Sequence, residues 1–547
     1  MSLTLTAELI QLTQHSSLEH YRDHVGPRGE TGSRDDREWA IDLGSTDNEC
    51  LEDIIRASKD LDDGKTARAV EAILAARQGK FDKPIPNFKA FQGMLEAFLR
   101  QDLIDGWIYV EGADGKLYPE LVTDIHFNDG RDGYGRNKSI PSVQIRTAYY
   151  GFSKGDGRRE DKVGVARGSH TFSPQDVSKR RVADALAKSG IYKETANLKA
   201  DYAASMERHQ KITLNAFGKQ FRVSGAAYHY DSDDYKRRGQ ALTNRKVIHD
   251  LELDDYDSIE KFVDSDLFCN GGESEGVGLV PEHPIIRVFD LKTHEYYWLH
   301  GDSLNVYEYD KSLREKLVLP QTHCDLLDVL TTDLEAFVDD FIEGKNAGNI
   351  ILCKGIAGVG KTLTAEVYAE LIERPLYSIH SGKLGVKASE IEENLEAIFH
   401  RSKRWGCVLL LDEADVFVLQ RGENVEQNAI VAEFLRVMEY FDGLFFMTTN
   451  RPNDIDDAIL SRCAAIIEYD IPDSERAKHI WQVMSEQFGA KLNQDLIAQL
   501  TTFFAEITPR DIKMLLRLAL RVSASQKLPL SMEIFRRCAM FRAIRMK

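Results

Sequence analysis

No apolar run in this 547-residue chain approaches the roughly 18 residues that a membrane helix needs, and its first basic residue is Arg22. Neither a spanning helix nor a signal peptide is expected. Among seven cysteines, standing singly at 50, 269, 324, 353, 407, 463 and 538, no C-x-x-C occurs. Spacing therefore supports neither a disulfide framework nor a zinc site, and reduced thiols point to the cytoplasm. Positive charge is also short: 70 Lys and Arg against 88 Asp and Glu leave −18. Such a balance works against non-specific binding to nucleic acid or to an anionic membrane. What is present, 43% apolar and 29% charged residues, describes a globular protein too long for one core.

Residues 1–105 read as mainly helical. Thr66 to Arg77 and Phe88 to Leu103 carry apolar residues at three- and four-residue spacing, with Pro84 and Pro86 between them. Gly26 to Arg37 is charged and poor in apolar residues, which predicts an exposed loop. Over 106–320 the texture changes to short β-like runs between Gly, Asp and Asn clusters, a strand-rich mixed α+β domain. Its expected strands are Trp107 to Val110, Val143 to Tyr150, Ile212 to Val223, Ile285 to Leu291 and Tyr296 to Leu299, with a helical insert from Pro174 to Arg208. The acidic segment Asp231 to Asp266 reads as a solvated face or loop.

Other strings here carry little. Gly151-Phe-Ser153-Lys-Gly155 matches a nucleophile elbow, but no helix follows it. His294 and His300 lack a third ligand at metal spacing. Asn137-Lys-Ser139 is a glycosylation sequon only in a secreted protein.

From Gln321 strands and helices alternate, the signature of a parallel sheet with crossover helices. The apolar strands are Ile350 to Cys353, Leu376 to Ile379, Cys407 to Leu411, Leu444 to Thr449 and Ala465 to Tyr469, and after Pro472 the chain reads as helical. Between the first strand and a helix lies Gly355-Ile-Ala-Gly-Val-Gly360-Lys361-Thr362, a G-x-x-x-x-G-K-[ST] loop. Glycines let the backbone curl around a polyphosphate with N–H groups inward, and the helix start adds partial positive charge. Gly355, Ala357, Gly358, Val359, Gly360, Lys361, Thr362 and Leu363 are the expected ATP-binding residues. Lys361 would neutralise the β- and γ-phosphates, and the Thr362 hydroxyl would hold Mg2+.

Fifty-one residues after Lys361, the apolar run from Val408 ends in Asp412-Glu413. An acid at the carboxyl end of a buried strand opens onto the ligand crevice of an α/β sheet. Asp412 is the expected magnesium ligand, and Glu413 the base that polarises the attacking water. Asn450, ending a third strand, could orient that water. Arg462, before another strand, and Arg510, at a helix start, are phosphate-reading candidates.

On these motifs residues 321–547 resemble the ATPase module of the AAA+ family: an α/β P-loop fold with a parallel five-stranded sheet (321–472) and a helical lid (473–547). Gly382 to Gly385, Ile391 to Phe399, Trp405 and Leu410 to Arg421 further resemble a subgroup with an uncharacterised domain ahead of the ATPase. The resemblance implies a homo-oligomeric ring, usually hexameric, with ATP and Mg2+ between subunits. Asn450 would be the sensor-1 residue, Arg462 the finger reaching a neighbour's γ-phosphate, and Arg510 the sensor-2 residue. Lys383-Leu384-Gly385 stands where family members carry a pore loop, often with an aromatic residue. Three departures stand out: Leu384 is aliphatic, one finger arginine is present, and Ile356-Ala357 with Val359 replace the usual Pro-Pro-Thr.

The expectation is an ATP hydrolase that remodels an unknown protein partner chosen by its N-terminal region. The alternative is a nucleotide-controlled oligomeric switch or scaffold that threads nothing. A nucleic-acid motor is disfavoured by the acidic balance, despite ten Lys or Arg after Pro509.

Overall fold

The computed structural model describes residues 2–25, 38–42, 46–128, 140–152, 163–231, 236–252, 261–268, 276–332, 349–385, 387–542 and 544. The expected loop at 26–37, the sequon at 137–139 and Ser153 to Gly155 of the elbow string lie outside them.

After two short helices, Ala7–Leu12 and Glu19–Val25, three consecutive helices, Asn48–Asp60, Gly64–Arg77 and Phe88–Arg100, occupy residues 48–100. The side chains of Asp47, Asp63 and Asn87 cap their N-termini by accepting from the N–H groups of Cys50, Thr66 and Ala90. Each such cap contributes about 1 kcal/mol. Beyond the helical expectation, Ser2–Thr6 and Glu38–Asp42 pair as an antiparallel ribbon that buries Leu3, Leu5 and Ile41.

Two five-stranded antiparallel sheets follow. The first runs in the order Val163–Phe172, Ser142–Phe152, Leu117–Asn128, Trp107–Glu111, Ile191–Lys193. The second runs Tyr296–His300, Ile285–Asp290, Lys236–His249, Gln220–Asp231, Leu304–Val306. Two sequence expectations are corrected here. The strand expected over Ile212 to Val223 is the end of helix Ala196–Asn215, a turn at Gly218 and only then strand Gln220–Asp231. Ile212 and Ala216 pack into one core at four-residue spacing, so the helical period prevails over the alternation. The segment read as a solvated acidic face contains strand Lys236–His249, which buries Val247 and Ile248, while its acids at 253–260 lie outside the described residues.

Five strands then form a parallel sheet in the order Leu376–His380, Val408–Asp412, Leu444–Thr449, Asn349–Gly355, Ala465–Tyr469. All six residues of its central strand Leu444–Thr449 are buried, as expected where crossover helices cover both faces. Four helices, Ser474–Gln487, Gln494–Phe503, Pro509–Gln526 and Met532–Met540, pack around Trp481, Leu515 and Phe535.

The antiparallel region is joined to the parallel sheet by core contacts. Phe289, fully buried, lies with its ring centroid 4.8 Å from Trp405 and 5.5 Å from Tyr377. Buried Asp250 pairs with Arg404. Buried Glu370 accepts from Tyr307 Oη (2.6 Å), Lys246 Nζ (3.0 Å) and the Asp310 N–H (3.1 Å). Among the described residues no helix is long and apolar enough to cross a membrane.

Candidate nucleotide site

Strand Asn349–Gly355 delivers the chain to the glycine loop. A side chain at Gly355 (φ 150°) would place its Cβ 2.3 Å from the Tyr469 carbonyl oxygen, so the loop cannot begin there with any other residue. Gly360 (φ 110°) precedes helix Lys361–Leu371 and supplies no capping side chain, which leaves the first N–H groups of that helix available. A Cβ at Gly360 would meet no protein atom within 4 Å, so the space over the helix start is open. Lys361 is 6% exposed, and its Nζ donates to the carbonyls of Gly355 (2.8 Å) and Ile356 (2.7 Å) and to Asn450 Oδ1 (2.9 Å). Burial pulls its pKa down, while Cys353, Asp412 and Asp415 oppose that shift. Val359 is buried, whereas Leu363 is exposed and also lines a separate cleft.

The acidic pair is tied to this loop through one hydroxyl. Thr362 Oγ1 donates to Asp412 Oδ1 at 2.9 Å, and Thr448 Oγ1 donates to the same oxygen at 2.6 Å. Thr448 Oγ1 in turn accepts the Glu413 N–H at 3.0 Å. Glu413 sits in the left-handed region (φ 55°), which costs a non-glycine residue on the order of 1 kcal/mol, and its carboxylate is largely exposed. His380 Nδ1 lies 3.9 Å from that carboxylate. Asp415 Oδ1 accepts from Thr449 Oγ1 (2.5 Å) and the Asn450 N–H (2.9 Å), fixing the turn that presents Asn450. Sequence reasoning missed Thr448, Thr449, Asp415 and His380. The available signal was two threonines ending a fully apolar strand, since buried hydroxyls must find partners.

Of the two arginines, the structure brings one to the loop. The Arg510 N–H donates to the Gly358 carbonyl at 3.1 Å, and a Cβ on Gly358 would lie 2.8 Å from the Arg510 Cβ. The helical region therefore closes directly on the loop. Arg462 stays on its own helix, donating to the Ala458 carbonyl at 3.2 Å and lying 3.7 Å from Glu439.

Leu384 departs from what the resemblance implied. It is fully buried beside Ile391 and Leu395, and Lys383 Nζ donates to the Thr293 carbonyl of the antiparallel region at 3.4 Å. The two histidines also part. The His294 ring packs on Phe289 and Tyr377, while buried His300 lies 3.6 Å from Asp302.

The residues fit a magnesium-bound triphosphate: uncapped helix N–H groups, a buried ammonium, and a hydroxyl against a carboxylate where a hard cation takes oxygen ligands. Among the described residues no group of three or more His, Cys, Asp or Glu could hold a metal unaided. Magnesium at Asp412 would thus draw on Thr362, water and phosphate oxygens.

Residues 351–471 match the profile of the ATPase family associated with various cellular activities, AAA. The human ATPase family gene 2 protein homolog B is 28% identical over 28% of this chain and 22% of its own length. The ATPase family gene 2 protein of Schizosaccharomyces pombe is 24% identical over 40% of this chain and 26% of its own. The chain thus spans about a quarter of the length of these relatives. A chain from the E. coli MS115-1 HORMA:CdnC:Trip13 complex aligns with 42% of this chain and 90% of its own length, at 20% identity and a TM-score of 0.34.

Proposed function

Because residues 351–471 form an AAA ATPase domain, we propose that the chain binds ATP with Mg2+ at the Gly355 to Thr362 loop and hydrolyses it. The observation that carries this reading is the continuous set of contacts from Lys361 to Asn450 to Asp415, and from Thr362 through Asp412 and Thr448 to Glu413. These contacts support reading Lys361, Asp412 and Glu413 as phosphate-facing cation, metal ligand and base in one preorganised group, and preorganised charge is the main source of catalysis in phosphoryl transfer. Lys361 and the helix N–H groups bind the phosphates, with Arg510 completing the pocket from the helical lid. Asp412 and Thr362 hold the metal, Asn450 orients a water, and Glu413 takes its proton. Bound there, magnesium would supply charge neutralisation to the phosphates.

Arg462 makes no contact with its own loop, and this favours its use on the site of a neighbouring copy in a ring. Of the two uses of turnover, a nucleotide-controlled switch acting on a protein partner is favoured over threading, because Leu384 is core rather than an exposed grip.

The test is a mixing experiment. Arg462→Ala should bind ATP normally and lose about 10³ in turnover. Mixing it with Lys361→Ala, which retains Arg462 but not the phosphate contact, should restore part of the activity. Absence of any recovery in assembled mixtures would sink the shared-site reading.

A further inference from the structure

Between strand Lys236–His249 and helix Lys361–Leu371 lies a cleft of about 720 Å³, separate from the glycine loop. The helix contributes Leu363, Glu366, Val367 and Glu370, one face at three- and four-residue spacing. The opposite wall contributes Gln220, Arg245, Lys246 and Lys292, and Arg374 closes one end. A cleft of this size takes a small molecule.

Two buried donors on this wall have no acceptor among the described residues: Gln220 Nε2 and Arg245 Nε. Gln220 is 5% exposed and borders the cleft. A buried N–H without a partner is destabilising, and a bound acceptor would remove that cost. The charges around the donors do not cancel. Arg245 is paired to buried Asp290 at 2.5 Å, and Lys246 to Glu370 at 3.0 Å. That leaves Lys292 and Arg374 against the single carboxylate of Glu366, an excess of positive charge.

We propose that this cleft binds an anionic small molecule of the phosphate or carboxylate class, whose oxygens accept from Gln220 Nε2–H and Arg245 Nε–H while Lys292 and Arg374 meet its charge. Its occupant bridges the antiparallel region and the helix that begins at Lys361. The inference does not rest on ATP hydrolysis.

The experiment uses the full chain carrying Lys361→Ala, so that anion binding at the glycine loop is suppressed. Inorganic pyrophosphate and citrate are titrated separately against sodium chloride of equal ionic strength, and the melting temperature is followed. A saturable rise with either probe is expected, with pyrophosphate alone assigning the phosphate class and citrate alone the carboxylate class. Gln220→Leu, and separately the surface pair Lys292→Glu with Arg374→Glu, should weaken the midpoint at least about tenfold. The proposal is overturned if neither probe exceeds the salt control, or if the response survives in the Lys292→Glu, Arg374→Glu protein.

Discussion

Lys361 and Asn450, 89 positions apart in the chain, share a hydrogen bond of 2.9 Å between ammonium and amide oxygen. The cation of the loop and the end of the central strand are therefore set against each other by direct contact. Lys361→Ala should abolish ATP binding in a fluorescent-nucleotide titration. Asn450→Ala should keep binding within a few-fold and slow phosphate release by about 10²-fold, the scale of losing one positioned polar group. Equal loss of binding in both variants would contradict separate roles.

Thr448 touches both acids of the site, so its removal should be felt twice. Thr448→Val keeps the shape but strands the Glu413 N–H and one lone pair of Asp412. We expect a stability loss of about 1–3 kcal/mol by urea denaturation, and a fall in kcat larger than any change in KM for ATP. An unchanged kcat would separate Glu413 from the contact that now positions it.

Leu384→Ala should behave as a core truncation. With no exposed surface at this side chain, the cost is about 2–5 kcal/mol, read as a lower denaturation midpoint. A variant of native stability that fails only in acting on a partner would instead place Leu384 at a working surface.

His249 gives the fold an acid limit. It has no exposed surface, and burial pulls its pKa from 6.5 to about 4. Between those values the unfolded chain takes up a proton that the folded chain refuses. This contribution is fully present above about pH 6.5 and is lost as the pH falls toward 4, on the order of 1–3 kcal/mol. Urea midpoints at pH 7 and pH 5 should fall less for His249→Leu than for the natural chain, and an equal fall would remove His249 as the cause.

The parallel sheet was legible because its strands are apolar throughout and end in chemistry: Val408 to Leu411 running into Asp412, and Leu444 to Met447 running into Thr448 to Asn450. The glycine loop was legible because its geometry demands particular residues. Strand Lys236–His249 was hidden by its charge, and the last turns of helix Ala196–Asn215, beyond the helical insert expected to end at Arg208, by the β-like apolar residues there. The threonines ending the buried strand signal that Thr448 has partners but not which ones, and the burial of Leu384 has no local signature. The bridge arises where segments distant in sequence meet, Thr448 lying 36 residues beyond Asp412.

Glu370 shows what such distant meetings imply for dividing the molecule. All three of its donors, Tyr307, Lys246 and the Asp310 amide, precede Gln321, where the alternating pattern begins. A fragment cut at that textural boundary would keep the whole glycine loop, yet lose all three donors to Glu370 and bare to water the faces of Tyr377 and Trp405 that Phe289 covers. The packed unit is thus longer than its motifs, and the upstream sheet is built into it rather than appended to it.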